Sequence, residues 1–77
     1  MADLHNLKIE HYQLGEKYFT GQGVSVDLQQ AIHYFKLAAD LGHSSALFKL
    51  GSCYDEGTGV AKDPAEAKKY YELAGRH

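Results

Sequence analysis

The sequence repeats itself at an offset of 36 residues. Leu14 falls on Leu50, Gly15 on Gly51, Tyr18 on Tyr54, Gly21 on Gly57, and Gly23-Val24 on Gly59-Val60. Asp27 then falls on Asp63, Ala31 on Ala67, Tyr34 on Tyr70, and Leu37-Ala38 on Leu73-Ala74. These matches are Gly, Tyr, Ala and Asp at fixed spacing, which composition alone does not produce. A period of this length belongs to supersecondary units that cannot bury an apolar face alone and therefore stack on one another. The expected organisation is a single domain over 1–77, with repeat one at about 7–42 and repeat two at about 43–77. A chain of 77 residues is small, and about 4–11 kcal/mol of folding stability is expected of it.

Each unit reads as a pair of helices. Leu4, Leu7, His11, Leu14 and Tyr18 step by three and four residues, as one helical face requires. Gly21 and Gly23 end that pattern. Asp27 can cap a second helix, with Gln30 three residues on, and this helix runs toward Gly42. In the second unit Ser44 or Ser45 is the expected cap of a helix reaching about Glu56. Asp63-Pro64-Ala65-Glu66 starts the fourth helix with an acidic cap, a proline in the first turn and a glutamate behind it. The connections are short, so successive helices are antiparallel neighbours. Gly15 and Gly51 lie inside helices, where glycine costs about 1 kcal/mol relative to alanine. The same cost at the same phase of both units, each time 16 residues before Ala31 or Ala67, points to close helix approach within each hairpin.

The stretch Leu50-Gly51-Ser52-Cys53-Tyr54-Asp55-Glu56-Gly57-Thr58-Gly59-Val60-Ala61-Lys62-Asp63 resembles the signature of Sel-one-like repeats, relatives of tetratricopeptide repeats. Residues Leu14 to Asp27 match it as well, and Ala38-Ala39-Asp40-Leu41-Gly42-His43-Ser44-Ser45-Ala46 is similar to the family's link between repeats. The resemblance covers about nine-tenths of the chain. It implies an all-α fold, an α/α superhelix (solenoid) of two antiparallel helix hairpins. It also implies a non-enzymatic adaptor or scaffold whose concave face is lined by the first helix of each repeat. Two departures stand out: His11 takes the place of Leu47 and Glu10 that of Ala46, so the first helix is less apolar on its outer side.

By that resemblance the partner-binding groove falls to Ile9, Tyr12, Glu16, Phe19, Phe48, Ser52, Asp55 and Glu56. Tyr12, Phe19 and Phe48 form an aromatic floor and Glu16, Asp55 and Glu56 an acidic rim. Such a groove suits a protein or peptide partner with apolar anchors and basic residues. Ala67, Tyr70, Tyr71 and Ala74 on the fourth helix are expected to be open to solvent, since a following repeat normally covers that helix. A homodimer through the C-terminal helix is the expected use of this patch.

Other chemistries are disfavoured. Ten acidic and eight basic residues leave a net charge of −2 with no basic stripe, so nucleic acid is not an expected partner. No apolar run reaches the ~20 residues of a membrane span. Met1-Ala2-Asp3-Leu4-His5 lacks the basic and apolar regions of a leader, which makes a cytoplasmic location the expectation. His5, His11, His33, His43 and His77 include no pair at helical metal-ligand spacing, so no metal and no cofactor are expected. The single Cys53 is expected to be a buried small hydrophobe. The glycine pairs follow helices and not strands, unlike phosphate-binding loops. A dedicated inhibitor or immunity-type protein with one partner is the alternative to an adaptor, and a mild acidic charge speeds capture of a basic target.

Overall fold

The computed structural model describes residues 4–76, with side chains from residue 6 onward. Met1 to Asp3, the His5 side chain and His77, all read above for a leader or a metal site, lie outside the described residues. Four helices follow in order: α1 Leu4–Thr20, α2 Leu28–Asp40, α3 Ser44–Glu56 and α4 Pro64–Ala74. No strand occurs among the described residues. The fold is an all-α repeat solenoid in which each helix packs on its chain neighbours, forming a slab of 37 × 31 × 12 Å.

The two α1–α2-type connections are the same turn made twice. The Asp27 N–H donates to the Tyr18 carbonyl at 2.9 Å, and the Asp63 N–H to the Tyr54 carbonyl at 2.8 Å. Asp27 Oδ1 accepts from the Gln30 N–H and Asp63 Oδ1 from the Glu66 N–H, so each carboxylate caps the helix behind it. Gly57 turns left-handed at φ 74° and closes α3 by donating to the Cys53 carbonyl. The start of α3 differs from the sequence reading. His43, not Ser44 or Ser45, is the cap, and no side chain accepts a hydrogen bond there. The link from Leu41 to His43 is itself ordered by amide bonds back to Ala38 and Ala39, which pulls the helix start one residue earlier.

The core lies where α2 meets α1 and α3. Ala31, Ile32, Phe35, Leu50 and Cys53 form one buried cluster, with Tyr12, Tyr18, Phe19 and Tyr70 packed against it. Stacked tyrosines clasp each hairpin: Tyr18 on Tyr34 at 5.8 Å and Tyr54 on Tyr70 at 5.6 Å between ring centroids. The internal glycines are explained by rings more than by the alanines expected from spacing. A Cβ on Gly15 would lie 2.6 Å from the Phe35 ring and 3.2 Å from the Ala31 carbonyl oxygen. A Cβ on Gly51 would lie 2.8 Å from the Tyr71 ring. Phe35 and Tyr71 are equivalent residues, so both hairpins close by laying an aromatic ring on a bare helix backbone.

Candidate partner-binding faces

The leading helices α1 and α3 meet through a small polar seam. Lys49 on α3 reaches back to α1, its Nζ 3.7 Å from Glu16 Oε1 and 5.0 Å from the centre of the Phe19 ring. The Tyr12 hydroxyl hydrogen-bonds to the same Glu16. Burial first, then that bond and the charge of Glu16, push the Tyr12 phenol up to about 12. An ion pair this exposed adds only about 0.2–1 kcal/mol to stability; its effect here is to hold Tyr12, Glu16 and Phe19 in one arrangement.

Above the seam opens a cleft of about 390 Å³ lined by Tyr12, Ser44, Ser45, Phe48, Lys49 and Ala74. Phe48 stands in it with 61% of its surface exposed, an unusual state for a phenylalanine. A second cleft, of about 480 Å³, lies on the outer side of repeat two and is lined by Asp55, Pro64, Ala67, Lys68, Tyr71 and Glu72. The Phe48 and Tyr71 rings, 5.3 Å apart, form the ridge between the two.

The sequence-predicted groove residues are thus divided. Tyr12 and Phe48 line the first cleft, and Glu16 flanks it through Lys49. Phe19 packs on Phe35 at 6.1 Å and lies beneath Lys49, so it supports the floor from within. Ser52 donates to Glu56 at 3.1 Å farther along α3. Asp55 lines the other cleft, and Ile9 is partly exposed on α1 outside both sets of lining residues. The predicted self-association patch is also divided. Ala67 is 2% exposed and lies in the wall of the outer cleft, and Tyr70 is stacked on Tyr54 against the core. Tyr71 and Ala74 are partly exposed, in different clefts. Lys49 and Ser44 join the lining of the first cleft without having been expected there. The reach of Lys49 to Glu16 and Phe19 crosses into the neighbouring repeat, which no pattern within one repeat reveals.

Cys53 is buried, and burial foremost pushes its thiol pKa up, the reverse of what a nucleophile needs. Among the described residues no group of three His, Cys, Asp or Glu side chains gathers closely enough to hold a metal ion. No helix among them is long and apolar enough to cross a membrane.

Two like hairpins, side by side and sharing one core, define an α/α repeat protein of the tetratricopeptide-like kind. The profile of the Sel1 repeat matches residues 11–43 and 44–77, and the chain belongs to the Sel1 repeat family. A Sel1 repeat protein from Oxalobacter formigenes superimposes with a TM-score of 0.89 at 32% identity, over 94% of this chain and 30% of that one. A protective antigen present in uropathogenic Escherichia coli strains, displaying the same fold, gives 0.88 at 39% identity, over 94% and 15%. The Helicobacter pylori cysteine rich protein B gives 0.88 at 32% identity, over 92% and 53%. This chain therefore spans between 15% and 53% of the length of these relatives. Its own single cysteine shows that the shared fold here needs no internal disulfide. A search of curated proteins returned no match. Sel1 repeat proteins are generally protein-interaction modules on a non-enzymatic scaffold.

Proposed function

We propose that this chain is an adaptor-type module that takes a protein or peptide segment along the face shared by α1 and α3. An apolar side chain of the partner seats in the cleft between Tyr12 and Phe48, and a basic residue lies over Glu16 or Glu56. The observation that carries this reading is the exposed Phe48 ring beside a cleft ready to receive a neighbour. Aromatic anchors of this kind supply most of the affinity at small interfaces. Peptides selected from a displayed random library against the intact chain test it. The selected peptides are expected to bind Phe48→Ala at least about tenfold more weakly, with unchanged helical circular dichroism because the ring is mostly solvent-exposed. Equal binding to Phe48→Ala would remove the groove from consideration.

A further inference from the structure

Lys49 already fills the place that a partner's cation would take. Its side chain lines the cleft beside Tyr12 and Phe48. Its Nζ crosses from α3 to α1, 3.7 Å from Glu16 Oε1 and 5.0 Å from the centre of the Phe19 ring. A carboxylate beside an aromatic face attracts a cation twice, through its charge and through the ring quadrupole. Tyr12, one turn earlier on α1, hydrogen-bonds to Glu16 and steadies the carboxylate. Two residues of the cleft lining, Tyr12 and Lys49, thus touch Glu16, so this corner adjoins the cleft.

The fit of Lys49 in this corner is loose. At 3.7 Å the ammonium stands beyond the ~2.7–2.9 Å of a charge-assisted hydrogen bond. Both side chains remain open to water, 31% of Lys49 and 39% of Glu16. An ammonium is a strongly hydrated point charge on a flexible stem, and an exposed pair of this kind is readily exchanged. A guanidinium is planar, forks onto a carboxylate with two parallel bonds and stacks flat on a ring. Glu16 and Phe19 offer both features together, and Lys49 uses neither fully. Glu56 is less suited, since it accepts from Ser52 and lies outside the cleft lining.

We propose that Lys49 is a displaceable plug in a subsite for arginine, and that it sets which cation the α1–α3 face accepts. This rests on the reading of that face as the partner groove. The partner segment seats an apolar side chain between Tyr12 and Phe48 and lays an arginine on Glu16 and Phe19, while the Lys49 ammonium swings into water. A partner lysine gains little by the exchange, because it replaces like with like.

Peptides selected from the displayed random library on the intact chain are the probes, read by fluorescence anisotropy. They are expected to carry arginine near an apolar residue and to bind Lys49→Met about fivefold more tightly than the native chain. Lys49→Gln, also uncharged, is expected to act in the same direction. The gain is expected to vanish when the peptide arginine becomes norleucine, or when the chain also carries Glu16→Gln. Lys49 makes only exposed contacts here, so the variants keep their helical circular dichroism. Selected peptides without arginine, binding that both Lys49 variants weaken or leave unchanged, or a gain that persists with norleucine overturns the proposal. Phe48→Ala separates this outcome from the fate of the groove. Where it weakens the peptides and the Lys49 variants do not tighten them, the groove stands and the plug falls; where it has no effect, both fall.

Discussion

Phe35 and Tyr71 hold the same place in successive hairpins, each laid on a helical glycine, yet Phe35 is 0% exposed while Tyr71 remains partly exposed. The difference lies in what covers them. Phe35 has α1 beneath it and the α3 residues Leu50 and Cys53 in the same cluster, whereas Tyr71 has α3 beneath it and a solvent-filled cleft above. Sequence similarity within a repeat therefore sets the hairpin, and position in the stack sets how much each residue contributes. The same holds for the connections. A Cβ on Gly59 would press 3.1 Å from Ile32 and Leu28 of the other repeat, while one on Gly23, equally left-handed, would meet nothing within 4 Å.

The sharpest way to break this comparison is to truncate the paired rings. Phe35→Ala is expected to cost about 3–5 kcal/mol, a large share of the stability of so small a domain, and to lower the melting temperature steeply. Tyr71→Ala should cost less, about 1–2 kcal/mol, since part of its surface is already in water. Equal losses would show that the repeats are energetically alike.

Next in size is the glycine pair. Gly15→Ala forces a methyl group into the sealed Phe35 ring, a strain of about 1–3 kcal/mol that the better helix propensity of alanine offsets by about 1. Gly51→Ala should be close to neutral, because the open Tyr71 ring can swing outward. Urea midpoints of the two variants decide the matter; if Gly51→Ala is as costly as Gly15→Ala, Tyr71 is held more firmly than its exposure indicates.

A smaller, opposite effect is expected at His11. It stacks on Tyr34 at 6.1 Å with Nδ1 buried and without a hydrogen-bond partner, where the second repeat has the buried Leu47. His11→Leu removes an orphaned polar atom and should stabilise by about 1 kcal/mol, raising the melting temperature; a drop would show that the imidazole contributes packing that leucine does not.

The last prediction concerns pH. The Tyr12 phenol ionises at about 12 in the folded chain, against about 10 when unfolded. The protonated form is thus favoured by folding. Its contribution is fully present below about pH 10 and fades as pH rises toward 12. Ultraviolet titration of the six tyrosines should show a late phase that Tyr12→Phe removes in part, since burial also raises Tyr70. A late phase that Glu16→Gln leaves at the same pH would contradict the Tyr12–Glu16 contact.

Much of this was legible in the sequence. The four helices, the Asp27 and Asp63 caps and the glycine-led turns follow from residues within a few positions of one another. Their physical causes, capping, left-handed backbone and helical periodicity, are local. The resemblance put Tyr12, Phe48 and Glu16 on one face, and Tyr12 and Phe48 line one cleft with Glu16 beside it. Asp55 and Ala67 line the other cleft, because their surroundings depend on how the neighbouring helix packs. His43 displaced Ser44 as a cap for a similar reason: the preceding link, folded back on Ala38, chose where α3 begins.

The amino-acid order by itself determined that the chain would form two hairpins of one design, since propensity, caps and period all act within a single repeat. Only the tertiary structure decided which copy of each residue would be covered. Burial belongs to the stacking of one hairpin on another, and from that stacking come the sealed Phe35, the exposed Phe48 and the bridge from Lys49 to Glu16.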